Sequence, residues 1–267
     1  MKIRWTQPTQ SGLGDRLTDI FMLAIYARVR QAEMHIDWPP FPAKAIDVEH
    51  RRTDILLENV LKFMAFPQEI VFDRSAPVQE TFDHYLGAGF QPEEFYAAYL
   101  KNFCSLDRFN EVKTTVAKDF IFCAPISAFM RTLPAKFVSV HIRRGDKVRP
   151  GANDGCFISE HELGLLNELT YRAIDHFAKS FDAFFVCGDQ AEKVQPFVEY
   201  VEKLPGKTLL KTPPMPKWEA TYYDLATMTK SQWNLASQRF SSFSRFPALI
   251  GAGAFATPFG MRDQGLI

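Results

Sequence analysis

Apolar and polar side chains alternate through the middle of the chain, with Val138, Val140 and Ile142 set against Ser139, His141 and Arg143. A period of two belongs to a strand, and Gly145, just past Arg143 and Arg144, marks where that strand gives way to a loop. The same reading applied along the chain yields alternating strands and helices. Residues 2–6 form a short strand, followed by the turn Gly12-Leu13-Gly14-Asp15-Arg16-Leu17. Leu17, Ile20, Phe21, Ala24, Ile25 and Val29 then fall on one helical stripe. A strand is expected over 33–38, and amphipathic helices over 51–64 and 92–109, the last through Phe95, Tyr99 and Phe103. Helical spacing alone accounts for those aromatic stripes as core.

From about Val116 the alternation repeats. Strands are expected over 120–124, 183–187, 207–212 and 233–236. Helices are expected over 126–133, from Ser159 to about 181, over 190–203, around 222–231 and from about Phe243. Ser159 with Glu162 three residues on is a capping-box pattern. The loop 149–157, rich in Gly, Asn, Asp and Pro, is long enough to form a mobile element over a site. Alternating strands and helices predict an α/β chain with parallel sheets, divided into an N-terminal Rossmann-like domain at 1–117 and a C-terminal one at 118–267.

Composition adds mainly exclusions. Lys+Arg and Asp+Glu both number 31, so the bulk charge points neither to nucleic acid nor to an anionic membrane surface. No apolar stretch approaches a membrane span and the N-terminus lacks a signal-like apolar region, which leads us to expect a cytoplasmic protein. The four cysteines are far apart in sequence and read as reduced and structural. There is no CxxC, Asp-x-Asp, P-loop or His/Glu pair at helical spacing, so no metal or cofactor is expected.

Candidate chemistry gathers at the ends of strands. Ligands of open α/β sheets bind outside the carboxyl ends of the strands, and Arg143, Arg144 and Lys147 stand just there. Two adjacent guanidiniums suit a phosphate or diphosphate, although pairing with carboxylates on neighbouring loops explains them equally well. Gly12 and Gly14 let a ligand approach the backbone near a helix N-terminus, or simply make a tight turn. Asp189 follows the 183–187 strand, and Ser241 and Ser242 precede the last long helix as N-caps or as part of an anion cradle. Two such halves predict a nucleotide-sugar enzyme in which arginine neutralises the phosphates.

The segment HIRRGDKV resembles the arginine motif of the metal-independent fucosyltransferases that use GDP-fucose, a group that includes α1,6, nodulation-type bacterial, α1,2 and protein O-fucosyltransferases. GLGDRL resembles the family's N-terminal glycine turn, FFVCGD its strand ending in Asp, and YYDLATMTKSQWNLASQRFSSFSR its last motif. The resemblance implies a GT-B-like fold of two facing Rossmann-like domains, with the donor on the C-terminal one and the acceptor on the other. It implies inverting transfer of L-fucose, or a related 6-deoxyhexose, from a GDP-sugar to a glycan hydroxyl. By motif position His141 would meet the guanine side, Arg143 the donor diphosphate, Asp189 the ribose, Asp224 the guanine amino group, and Ser241 and Ser242 the diphosphate. Arg143, Lys147 and Asp15 are the catalytic candidates. The chain departs from the family where Gly151 replaces a carboxylate, which leaves Asp15, Asp19 and Asp154 as alternative bases. A binding protein of the same fold that retains the pocket without catalysis is the alternative.

Overall fold

A computed structural model describes residues 1–8, 11–40, 53–84, 91–144, 159–238 and 241–267. The chain divides into two compact units, Met1–Ser127 with Lys217–Glu219, and Ala128–Pro216 with Ala220–Ile267. Among the described residues no helix is long and apolar enough to cross a membrane.

In the first unit β1 (Lys2–Thr6) leads through the glycine turn into α1 (Leu13–Arg30) and then β2 (Glu33–Asp37). After α2 (Leu57–Phe63) come β3 (Met64–Ala65), β4 (Ile70–Val71) and β5 (Glu80–Thr81). The parallel sheet has the order β4-β2-β1-β5, with Ile3 opposite Met34 and Trp5 opposite Ile36. α1 is buried all round from Arg16 to Ala27, because it packs against the helix Leu106–Lys118 as well as against this sheet. Arg28, at the end of α1, is gripped by Glu69 at 2.6 Å and Asp119 at 2.7 Å.

The helix expected over 92–109 is broken. α3 (Pro92–Phe95) passes into a π-helical turn, Tyr96–Leu100, and a new helix, α4 (Leu106–Lys118), starts after it. Ser105 supplies the reason, since its hydroxyl accepts from the Arg108 N–H and caps a fresh N-terminus. Phe95 and Tyr99 pack with Tyr26 and Phe82, whereas Phe103, on the interrupted stretch, is exposed. β6 (Ile121–Phe122) pairs antiparallel with β3.

α5 (Ala124–Thr132) leads into the second unit, which is built from β7 (Val138–Ile142), α6 (Glu160–Ala178), β8 (Ala183–Gly188), α7 (Ala191–Lys203) and β9 (Thr208–Leu210). It continues with α8 (Lys217–Lys230), β10 (Trp233–Ala236), α9 (Ser242–Ile250), β11 (Ala254–Ala256) and α10 (Pro258–Asp263). All five strands run parallel in the order β11-β10-β7-β8-β9. The chain moves one way from β7 to β8 and β9, then returns to the other side of β7 for β10 and β11. The order therefore reverses between β7 and β10, the switch point where such sheets bind ligands.

Both faces of β7 are covered, and all five of its residues are buried. Val138, Val140 and Ile142 enter a cluster with Phe184, Val186, Ala173, Ile174, Val194 and Phe197. Each fully buried aliphatic or aromatic side chain there contributes about 1.5–3 kcal/mol. The opposite face holds Phe137, Phe185, Cys187 and Met228, with Ser139 and His141 on the same side. Ser139 is satisfied there by Ser231 at 3.1 Å and by Asn234. Gly188 is required by close approach, because a Cβ at that position would lie 2.1 Å from the Ile142 carbonyl oxygen.

Candidate functional site

The alternation that sends Val140 to one face and His141 to the other continues past the strand into the two arginines. The ladder itself stops at Ile142, because the Arg143 N–H leaves the sheet and donates to the Ser237 hydroxyl at 3.2 Å. Ser237 directly follows β10, and its own N–H still donates to the His141 carbonyl at 3.0 Å. The switch point is thus closed from both strands by one serine.

Arg144 turns to the α6 side, as its register demands, and is 2 % exposed. Its Nη1 donates to the Ser237 Oγ at 2.7 Å, the Ser237 carbonyl at 3.0 Å and the Arg143 carbonyl at 3.2 Å. Its Nη2 donates to the Asn167 Oδ1 at 2.9 Å, and its backbone N–H donates to the Asp189 Oδ1 at 3.1 Å. Burial pulls the guanidinium pKa down to about 10, opposed by the nearby Asp189 charge, so it stays cationic at neutral pH. Among the described residues the acceptors that hold the guanidinium are all neutral. Arg144 is therefore anchored through Ser237 and Asn167, and Asp146, two residues on, lies outside the described residues.

His141 is 4 % exposed, with Nδ1 2.7 Å from the Ser244 hydroxyl and its ring 5.0 Å from Phe243. Ser241 is the N-cap of α9, its hydroxyl accepting from the Ser244 N–H, and the Ser244 hydroxyl also reaches it at 3.1 Å. Ser241 and Ser242 are both buried at this helix start, where the positive end of the dipole favours an anion. Asp224 is buried on α8. The second unit thus brings His141, Arg143, Arg144, Asp189, Ser241 and Ser242 to the carboxyl ends of β7, β8 and β10. Lys147, Gly151 and Asp154 lie outside the described residues, as does the 149–157 loop.

The first unit holds the glycine turn at the carboxyl end of β1. Gly12 is the N-cap of α1 and Gly14 lies in its first turn, and the Asp15 carboxylate accepts from the Gly12 N–H at 3.3 Å. Asp15 therefore has a cap role visible in the geometry. Arg16 is fully buried, donating to the Ser11 carbonyl at 3.0 Å and the Pro39 carbonyl at 2.7 Å, with its guanidinium 4.9 Å from the Trp38 ring centroid. Asp19, 3 % exposed, accepts from Gln7 Nε2 at 3.1 Å, and burial lifts its pKa to about 7. Among the described residues no group of three or more His, Cys, Asp or Glu side chains converges as metal ligands would.

Sequence reasoning missed Ser237, Asn167 and Ser244 in the second unit and Gln7 and Arg16 in the first. The signal for Ser237 was its place immediately after a strand, the criterion that singled out the arginines.

No protein-family model and no curated protein matches the sequence. Solved structures do match. The crystal structure of fucosyltransferase NodZ from Bradyrhizobium has a TM-score of 0.54 at 13% identity, over 94% of this chain and 93% of that one. The structure of NodZ α-1,6-fucosyltransferase co-crystallised with GDP has a TM-score of 0.52 at 14% identity, over 94% and 92%. The same enzyme soaked with GDP-fucose gives 0.51 at 13%, again over 94% and 92%. The chain shares their GT-B-like fold. In this chain the two arginines follow β7 at the switch point of the second unit, and the GLGDRL turn opens the first helix of the first unit.

Proposed function

We propose that the protein is a glycosyltransferase that moves L-fucose, or a related 6-deoxyhexose, from a GDP-sugar to a glycan hydroxyl with inversion. The observation that carries this reading is the placement of Arg143, beyond the carboxyl end of β7 at the switch point, with both of its main-chain polar groups fixed by Ser237 and Arg144. The fold shared with NodZ structures containing GDP supports the donor class.

In this reading the donor diphosphate lies between Arg143 and the start of α9, with Ser241 and Ser242 contributing hydroxyl and N–H donors. His141 and Asp224 serve the guanine and Asp189 the ribose. Negative charge grows on the diphosphate as the glycosidic bond breaks, so a preorganised guanidinium and helix N-terminus lower the barrier most where that charge appears. No metal is used. The first unit carries the acceptor, and the proton acceptor is drawn from Asp15, Asp19 and Asp154.

A thermal-shift panel with GDP, ADP, UDP and GDP-fucose tests the donor class. GDP and GDP-fucose are expected to raise Tm more than ADP or UDP, and GDP release from GDP-fucose is expected to rise when an oligosaccharide acceptor is added. Arg143→Lys keeps the charge but loses the bidentate fork, and is expected to lower turnover roughly a hundredfold to a thousandfold. A larger response to ADP or UDP overturns the donor assignment. Tight GDP binding without turnover on any acceptor makes the chain a binding protein instead.

A further inference from the structure

We propose that Ser237 is a positioning residue for Arg143, acting directly through its hydroxyl and indirectly through Arg144 and Asn167. The inference rests on the donor reading given above. Ser237 is fully buried, 94 residues along the chain from Arg143. Its single hydroxyl oxygen accepts from the Arg143 N–H at 3.2 Å and from the Arg144 Nη1 at 2.7 Å. The Arg143 carbonyl in turn accepts from that same Nη1 at 3.2 Å. The peptide groups on both sides of Arg143 are thereby tied to one serine and the one guanidinium bound to it.

Arg144 is an unusual tie. A buried cation is ordinarily matched by a bonded carboxylate, because desolvation is expensive and a direct partner offsets it. Here the guanidinium is held by the Ser237 carbonyl and hydroxyl, the Arg143 carbonyl and the Asn167 amide oxygen, while Asp189 takes the backbone N–H of Arg144 instead. Neutral acceptors fix the geometry of the group, and the Asp189 charge acts on it without a direct bond to the guanidinium. The guanidinium joins Arg143, the residue after β10 and α6, a set of contacts that a flexible lysine ammonium cannot reproduce. Arg143 lies past the end of the ladder at Ile142, and an error of about 1 Å in the placement of such a group lowers the rate about a hundredfold.

The test is a double-mutant cycle on GDP affinity, measured by calorimetry on the full chain, with turnover of GDP-fucose as a second readout. Ser237→Ala is expected to weaken GDP binding about tenfold, the scale of losing one or two buried hydrogen bonds, and to lower kcat at least as much. In the Arg143→Lys background the same change is expected to alter GDP affinity by less than about twofold, since the group being positioned is already lost. Equal losses in both backgrounds mean that Ser237 is merely structural and overturn the inference. Should Ser237→Ala not fold, Asn167→Ala takes its place, freeing Arg144 Nη2. A smaller loss of GDP affinity, again confined to the background that retains Arg143, supports the inference, and an additive loss overturns it. Failure of the wild-type chain to bind GDP refutes the donor reading, whereas wild-type binding with unchanged affinity in Ser237→Ala refutes the role of Ser237 alone.

Discussion

Two residues of nearly identical chemistry, Arg143 and Arg144, are separated by one step of strand register, and that step decides their roles. Arg144→Lys keeps a charge in the buried position but cannot serve Ser237, Arg143 and Asn167 together. It is expected to lower Tm more than Arg143→Lys does and to retain more activity, and a reversed order in melting and turnover measurements refutes the register argument. Asp19 is the other residue whose setting departs from its type. Its folded pKa of about 7 lies above the ordinary 3.8 because burial disfavours the carboxylate. Below 3.8 the group is protonated folded and unfolded, so its contribution to stability is fully present. As pH rises through 3.8 to 7 the unfolded chain releases the proton that the folded chain retains, and stability falls until both are ionised. Asp19→Asn keeps an acceptor for Gln7 and removes this loss. Denaturant midpoints for wild type and Asp19→Asn are expected to converge near pH 3 and to separate in favour of the variant by pH 8.

At the scale of elements, the long or doubly buried ones could be read from pattern alone. β8 is an apolar run because both faces of its sheet are covered, β7 shows the period of two, and α1 and α6 carry clear stripes and, in α6, a capping box. β4, β5 and β11 escaped because two or three residues cannot display a period, and their identity comes only from pairing with β2, β1 and β10. The break at Ser105 escaped because one serine inside an amphipathic stretch reads as tolerated until its hydroxyl is seen to cap a helix. His141, on a recognisable strand, and Arg143, just past its end, were legible as candidates from that strand's pattern. Ser237 was not, because its meaning depends on a partner 94 residues away. Gly188 shows how tightly β7 and β8 are matched. Gly188→Ala would set a Cβ 2.1 Å from the Ile142 carbonyl and 2.6 Å from Val194 Cγ2, forcing β8 outward and Asp189 away from the Arg144 N–H. The expected destabilisation is about 1–3 kcal/mol in chemical unfolding, with weakened GDP binding in the variant that still folds. A neutral result would mean that the two strands separate freely.

For the whole molecule, net charge is zero, so attraction of the proposed anionic donor cannot come from the bulk field and must be local. In the proposed reading the second unit supplies that field from three sources: Arg143, the buried Arg144 charge, and the N-terminus of α9 capped by Ser241. A nucleoside diphosphate carries charge that a divalent ion commonly neutralises, whereas arginines and main-chain N–H groups do so without one. Binding of GDP is therefore expected to be unchanged by excess EDTA and insensitive to added magnesium. It is also expected to weaken with ionic strength less steeply than an exposed lysine patch would, since buried charge is screened less than charge in solvent. Calorimetric titration of GDP with EDTA, with magnesium, and at low and high salt checks all three expectations on one sample. Loss of binding in EDTA, with recovery on adding magnesium, would transfer the neutralising role from the arginines to a metal ion and refute the proposed chemistry at the switch point.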